Sequence, residues 1–371
     1  MKILITGNMG YVGPAVIKRL REEYSPKAEL IGLDTGYFAH SLTDSLVLPE
    51  TLLNQQIFAD VRDIDQDFLV DNDLTDLDAV VWLAAISNDV MGELNPDLTK
   101  QINYLSAVNL AKLLKENAQK LNKQVSFTFA SSCSVYGDGS GSGFDKDGNK
   151  LPVDENSEVN PLTAYAKSKR ETEIALEPLA DSTLKVTCLR FATACGMSDR
   201  LRLDLMLNDF AAGAVTEKEI TVLSDGSPWR PIIATEDMAG GVAYAIQRSN
   251  LDEKGGDYLV VNIGSNDWNY QVKDFANMCG EAVDRTKVSI NSAAEPDKRS
   301  YRVNFDKFTS LADKKYLPQE TLQTAVEKLR DGIQNTPTID TNYRTSKYMR
   351  INTLKGHIKE GRIDQNLRWI R

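Results

Sequence analysis

Tyr165 and Lys169 stand four residues apart in the run Tyr-Ala-Lys-Ser-Lys. On a helix, that spacing turns both side chains toward the same side. An ammonium beside a phenol favours the phenolate and brings its pKa toward working pH. Such a pair can take a proton from a carbinol or return one to a carbonyl. Tyr343 and Lys347 have the same spacing, so spacing alone does not select a site. Context does. The run Ser131-Ser132-Cys133-Ser134-Val135-Tyr136-Gly137 directly follows a strand-like stretch at residues 125–130. Ligands of open α/β sheets bind beyond the carboxyl ends of strands. A Ser132 hydroxyl placed there can bond the same oxygen whose proton Tyr165 moves. The Tyr343–Lys347 pair lies remote from any strand end and is read as coincidence.

A second constellation opens the chain. Gly7, Gly10 and Gly13 follow an apolar run at residues 2–6 and lead into a helical pattern. Glycine permits a tight turn and close approach of backbone to a pyrophosphate, and the helix N-terminus offers free N–H groups to the anion. Tyr11 and Val12 belong to the same loop. Asp34 closes the second strand, where its carboxylate can accept from adenosine ribose hydroxyls. It would also repel a 2′-phosphate, and neither residues 7–14 nor 32–50 contain Arg or Lys. NAD is therefore expected over NADP.

The elements that must position these groups are legible from periodicity. Strands are expected at residues 2–6, 29–34, 57–59, 79–84, 125–130, 184–190 and 258–263. Helices are expected over 11–24, 96–121, 161–180, 203–213 and 237–247. The alternation implies βαβ units and a parallel, doubly wound sheet. The expected fold is a Rossmann α/β domain with a smaller C-terminal substrate-binding lobe. Residues 1–190, with 235–263 returning to them, form the first; 191–234 and 264–371 form the lobe and tail.

The chain has 371 residues and a formal net charge of −10, which disfavours nucleic acid and anionic membrane as partners. No apolar run approaches the length of a membrane span. The apolar stretch near the N-terminus is too short for a signal peptide, so a cytoplasmic location is expected. The four cysteines form no Cys-x-x-Cys pair and there are only two histidines, so no metal site is expected.

Taken together, Thr6-Gly7-x-x-Gly10-x-x-Gly13, Asp60-Val61, Leu83-Ala84-Ala85, Ser132-x-x-Val135-Tyr136-Gly137 and Tyr165-x-x-x-Lys169 strongly resemble the extended short-chain dehydrogenase/reductase family. That group includes sugar-nucleotide epimerases, dehydratases and reductases. The resemblance implies NAD as cofactor and Ser132, Tyr165 and Lys169 as catalytic residues. It implies that Asp60 and Val61 flank the adenine, that Leu83, Ala84 and Ala85 run beneath the cofactor beside Ser131, and that Lys169 also holds the nicotinamide ribose. Asn103 falls where a helix asparagine supports the lysine. Arg230, in Trp229-Arg230-Pro231, matches an arginine that meets the substrate diphosphate, and Arg299 and Arg302 match a later basic segment with the same task. The histidine usual soon after the first arginine is Ala234 here. Ser87, Asn88, Cys133, Ser134, Thr193, Arg202 and Asn208 are the remaining substrate-binding candidates. A homodimer through the helices at 96–121 and 161–180 is implied, with a sugar nucleotide as the small-molecule partner.

Within that family, 4,6-dehydratases carry an Asp-Glu pair where this chain has Cys133 and Ser134. Epimerase-reductases that work through Cys and His need a histidine that neither His40 nor His357 supplies. Two reactions need only Ser132, Tyr165, Lys169 and a nicotinamide: epimerisation at C4 through a transient 4-keto sugar, and reduction of a 4-keto sugar made elsewhere. Retained NAD favours the epimerase. A non-catalytic NAD-binding protein on the same fold ranks last, because serine, tyrosine and lysine are all present.

Overall fold

The structure is a computed structural model that describes residues 1–43, 48–87, 92–93, 95–146, 150–248, 255–294 and 299–370. The chain begins with β1 (Lys2–Thr6), whose five residues are all buried, and continues through β2 (Glu29–Asp34), β3 (Gln55–Phe58), β4 (Ala79–Trp82), β5 (Val125–Ser132) and β6 (Leu184–Phe191). It then leaves the sheet for β7 (Thr193–Cys195), β8 (Glu219–Val222) and β9 (Trp229–Ala234), and returns with β10 (Tyr258–Ile263). Short strands β11 (Asn269–Gln271) and β12 (Lys287–Ile290) follow. Among the described residues, seven strands form one parallel sheet in the order β10-β6-β5-β4-β1-β2-β3. This is a Rossmann α/β fold: the strand order reverses beside β1, and the crevice at that reversal is where such sheets bind ligands.

The helices are α1 (Gly13–Tyr24), α2 (Gln66–Asp71), α3 (Pro96–Lys100), α4 (Ser106–Lys120), α5 (Ala164–Leu176), α6 (Met206–Thr216), α7 (Thr235–Gln247), α8 (Val272–Glu281), α9 (Asp306–Leu311), α10 (Leu322–Gln334) and α11 (Arg350–Lys359). Strands buried on both faces need cover on both. Leu110 and Leu114 of α4 pack with Val80, Trp82, Phe127 and Phe129 on one face. Val16, Ile17 and Leu20 of α1 and Val242 of α7 pack with Ile3, Ile5 and Val81 on the other. A third cluster, built from Leu203, Leu207, Phe210, Phe275, Leu329 and Tyr343, holds α6, α8 and α10 around the small sheets β11-β9-β7 and β12-β8. The C-terminal segment turns back, and Leu354, Ile363 and Leu367 join the first cluster beside Leu4 and Ile31.

Differences from the expected elements have local causes. The helix expected over 96–121 is interrupted by a π-helical turn at Gln101–Leu105, where Asn103 is drawn to Ile86 and Ser168. The helix expected over 161–180 begins at Ala164, because the Thr163 hydroxyl caps it by accepting from the Ala166 N–H at 3.2 Å. β5 runs two residues longer than expected and carries Ser131 and Ser132 at its carboxyl end, paired with Arg190 and Phe191 of β6.

That end of the sheet is held by charge. Glu173 of α5 is fully buried. It accepts from Ser131 Oγ at 2.6 Å, from Arg190 Nε and Nη2 at 2.9 and 2.8 Å, and from Arg170 Nη1 at 3.0 Å. Arg190 Nη1 also donates to the Tyr136 hydroxyl at 3.0 Å. Removing one member of such a pair strands the other charge. Arg190→Met is expected to lower unfolding free energy by about 3–5 kcal/mol, measured by urea denaturation. A loss below about 1 kcal/mol would mean that the pair does not anchor α5.

Candidate functional site

Two glycines make the loop after β1 possible. Gly7 adopts φ +74°, and a Cβ there would stand 2.6 Å from the Ala84 backbone nitrogen. Gly13 opens α1, and its Cβ would fall 1.9 Å from the Asn8 carbonyl oxygen. Backbone therefore comes to the cavity floor where a side chain would have stood. Asp34, at the end of β2, accepts from the Met9 N–H at 3.0 Å and the Gly36 N–H at 2.8 Å. Burial raises its pKa, opposed by those two N–H groups.

A cavity of about 530 Å³ runs from this loop across the carboxyl ends of the strands. At the β2 and β3 end it is lined by Gly7, Gly10, Tyr11, Val12, Gly13, Asp34, Asp60 and Val61. Asp60 is already engaged, accepting from Arg62 at 2.9 and 2.6 Å. Burial would raise its pKa, but the hydrogen bonds from Arg62 win and hold it below the usual carboxylate range. Leu83, Ala84, Ala85 and Ser131 line the middle.

Ser132, Ser134, Tyr165 and Lys169 line the same cavity further along. The first turn of α5 is aimed by two caps, Thr163 and the Glu93 carboxylate, which accepts from the Ala164 N–H at 2.7 Å. Lys169 Nζ lies 5.6 Å from the Tyr165 ring centroid and 4.8 Å from that of Phe129. Lys169 is only 2% exposed. Burial pushes its pKa down to about 7, with Glu173 opposing the shift. Ser134 Oγ is buried and has no hydrogen-bond partner among the described residues. Tyr343, by contrast, gives its hydroxyl to Asp209 at 2.7 Å, and Lys347 reaches the Leu42 carbonyl; neither lines the cavity.

Thr193, Ser87, Arg202, Arg230 and Arg299 also line it. Arg202 is paired with Asp204 at 2.7 Å and donates to Ser87 Oγ at 2.8 Å. Four expected site residues do not reach it. Cys133 points into the core, its thiol donating to the Arg190 carbonyl at 3.2 Å, and the 3-10 turn after Ser132 buries Cys133, Val135 and Tyr136 while leaving Ser134 at the cavity. Asn103 is fully buried behind the wall, tying Ile86 to Ser168. Asn208 accepts from the Gly196 N–H and donates to the Tyr11 hydroxyl and the Arg202 carbonyl. Arg302 turns into a second cavity, its guanidinium over Trp229 and bonded to the Lys150 carbonyl. Asn88 lies outside the described residues.

The sequence reading missed Tyr37, Phe38, Arg350 and Leu354, all of which line the β2 side. Tyr37 and Phe38 follow Asp34 closely enough to have been considered. Arg350 and Leu354 have no local motif and are brought here by packing alone. The glycine cradle, the α1 N-terminus, Asp34 and a buried cation together fit a dinucleotide with its diphosphate.

The family described as NAD dependent epimerase/dehydratase matches residues 3–264. The chain is 31% identical over 266 residues to a putative UDP-glucose 4-epimerase of Methanocaldococcus jannaschii, covering 71% of this chain and 76% of that protein. The fold is similar to that of UDP-glucuronic acid 4-epimerase from Bacillus cereus solved with NAD (TM-score 0.70, 20% identity, 92% and 99% of the two chains). It is equally similar to an NAD-dependent NDP-hexosamine 5,6-dehydratase, TunA, of tunicamycin biosynthesis (TM-score 0.71, 20% identity, 90% and 98%).

The buried lysine has a measurable consequence. Unfolded, it holds its proton up to about 10.5, whereas folded it gives it up near 7. Between those values the unfolded chain binds more protons, so stability rises with pH. The penalty is full below pH 7 and gone above about 10.5. Lys169→Met is expected to stabilise the cofactor-free protein by roughly 3–5 kcal/mol at pH 6, the gain shrinking steadily toward pH 10. Denaturation of both proteins across that range checks this, and a gain independent of pH would contradict it.

Proposed function

The chain belongs to the NAD dependent epimerase/dehydratase family, and on that premise we propose that it is a sugar-nucleotide epimerase acting at C4. The observation that carries the reading is the shared cavity wall of Ser132, Tyr165 and Lys169, with no acidic pair after Ser132. Eliminating water needs an additional acid and base, and the positions that would hold them are a buried thiol, Cys133, and a hydroxyl, Ser134. Epimerisation needs neither.

NAD is the cofactor, and when bound it supplies a hydride acceptor that is returned to its starting state within one turnover. Tyr165 removes the proton from the C4 hydroxyl as that carbon is oxidised, and gives it back after the 4-keto sugar has turned over. Lys169 stabilises the phenolate through its charge, and its position on α5 also suits it to the nicotinamide ribose. Ser132 donates to the C4 oxygen and holds it against Tyr165. Ser134 Oγ, buried and without a partner, is suited to a sugar hydroxyl. Arg230 and Arg299, on the wall formed by the smaller lobe, suit a nucleotide diphosphate, since a guanidinium fork matches phosphate oxygens.

A panel of UDP-, GDP-, CDP- and dTDP-sugars, incubated with catalytic NAD and followed by NMR, is expected to yield a C4-inverted sugar with NAD unchanged. Tyr165→Phe is expected to reduce that turnover by at least ~10²-fold while leaving NAD affinity within about a factor of three. Stoichiometric oxidation of NADH by a 4-keto-6-deoxy sugar nucleotide would replace the epimerase with a ketoreductase. A dehydrated product from an ordinary hexose nucleotide would overturn both.

The protein is also proposed to act as a homodimer. Leu105, at the end of the π-turn, and Ile174 of α5 are 49% and 53% exposed. The two helices are joined by an ion pair between Lys100 and Glu171 at 3.9 Å, and these two exposed apolar side chains suit burial against a second copy. Light scattering at micromolar concentration is expected to give twice the 41.2 kDa chain mass. The double substitution Leu105→Glu with Ile174→Glu is expected to give a folded monomer. A monomeric wild type would remove this reading.

A further inference from the structure

The family match ends at residue 264, yet the chain beyond α10 returns to the cofactor end of the sheet. Trp369 Nε1 donates to the Thr35 carbonyl at 2.7 Å, and Arg62 Nη1 to the Asn366 carbonyl at 2.9 Å. The Tyr37 hydroxyl donates to the Leu367 carbonyl. Arg368 lies 2.5 Å from Asp63 and 3.4 Å from Asp60. Each anchor lies just past β2 or β3, beside Asp34, Tyr37, Phe38 and Asp60 on the cavity wall.

Arg350, the first residue of α11, is the point where this segment enters the cavity. Its side chain is 2% exposed and lines the wall. Nη2 donates to the Arg200 carbonyl at 2.8 Å, and the guanidinium stacks 4.4 Å from the centroid of Phe38. Nη1 is buried with no partner among the described residues. Neighbouring arginines are neutralised: Arg200 by Glu50 at 2.8 Å and Arg202 by Asp204 at 2.7 Å. Arg350 has no such ion pair among the described residues. An unpaired buried cation with an unused donor is costly, unless an anion completes it.

We propose that Arg350 is a ligand of the cofactor's pyrophosphate, so that the C-terminal segment closes the cofactor site as its outer wall. This rests on the dinucleotide reading of the cavity. The pyrophosphate is favoured over a 2′-phosphate because Asp34 occupies the ribose position, where its carboxylate repels a further anion. It is favoured over the substrate diphosphate because the Arg350 guanidinium stacks on Phe38, four residues past Asp34, and the carbonyl it binds belongs to Arg200, which itself reaches the Ala39 carbonyl, whereas Arg230 stands on β9. Burial, followed by repulsion from Arg202, pulls the Arg350 pKa down to about 9, which a bound phosphate would reverse.

The test uses the full chain stripped of nucleotide, with ADP-ribose, NAD and NADP measured by calorimetry and adenosine by ligand-detected NMR. Arg350→Gln is expected to weaken ADP-ribose and NAD on the order of 10- to 100-fold, leave adenosine unchanged and leave the NAD-to-NADP ratio unchanged. Arg350→Lys, which keeps the charge, is expected to recover part of the loss. Equal loss for adenosine would reduce Arg350 to a structural clamp. Loss confined to NADP would place it at the 2′-position, and no loss would also overturn the proposal. A wild-type arm covers the case in which Arg350→Gln does not fold: ADP-ribose should slow proteolysis within residues 340–370, and saturating adenosine should not. Equal protection by both overturns the proposal. Failure of wild type to bind either NAD or ADP-ribose would overturn the dinucleotide reading itself.

Discussion

Glu173 has no contact with water, and its charge is held by Arg190, Arg170 and Ser131. Through these bonds one carboxylate joins α5 to the last residues of β5 and β6. Ser132 is the next residue along β5 from Ser131, and Lys169 lies one helical turn before Glu173. This buried cluster, together with the caps on the first turn of α5, therefore sets the relative placement of the hydroxyl, the phenol and the ammonium. Such pairs add little net stability over a well-packed apolar substitute. What this one contributes is geometry, because its hydrogen bonds tie α5 to the carboxyl ends of β5 and β6.

The same carboxylate bears on the electrostatics of the cavity. Lys169 is buried away from water, which disfavours its charge, with Nζ over the rings of Phe129 and Tyr165. Glu173 is the charge that opposes the loss. A lysine poised near neutrality can respond to what enters the cavity: a phenolate or an anion nearby will hold its proton on. The site thus stores electrostatic cost in the cofactor-free protein that ligands relieve, in keeping with the general trade between stability and function.

Charge is distributed along the cavity in a consistent way. The carboxylates of Asp34 and Asp60 stand at the β2 and β3 end, and the hydroxyls of Ser132 and Ser134 share the wall with Tyr165. Arginines line it as well: Arg350 on the same β2 side, and Arg202, Arg230 and Arg299 elsewhere on the wall. In a chain of net charge −10, anionic ligands must be met by such local cations. Arg230, Arg299 and Arg350 stand on the cavity wall as such cations, while the loop after β1 brings backbone to its floor.

The sheet, its order of elements and the glycine loop were legible in the sequence because each is encoded over short spans. Apolar runs of strand length, a helical stripe, and glycines at a turn act through neighbours a few residues apart. Gly7, Asp34, Ser132 and Tyr165 line the cavity for the same reason, each sitting at the end of a strand or the start of a helix, and Lys169 follows Tyr165 by one turn of α5. What the sequence could not decide was the direction of side chains whose partners are distant. Cys133 and Ser134 are adjacent, yet the turn sends the thiol into the core and leaves the hydroxyl on the cavity wall. Asn208 and Asn103 carry polar groups that look fit for a ligand, but buried backbone from remote segments uses them first. Arg350 shows the reverse: nothing near it in the chain marks it, and it reaches the cofactor wall only because Leu354, Ile363 and Leu367 bury their side chains against the sheet. Local pattern determines which elements form; packing between distant elements determines which polar groups are left over for a ligand.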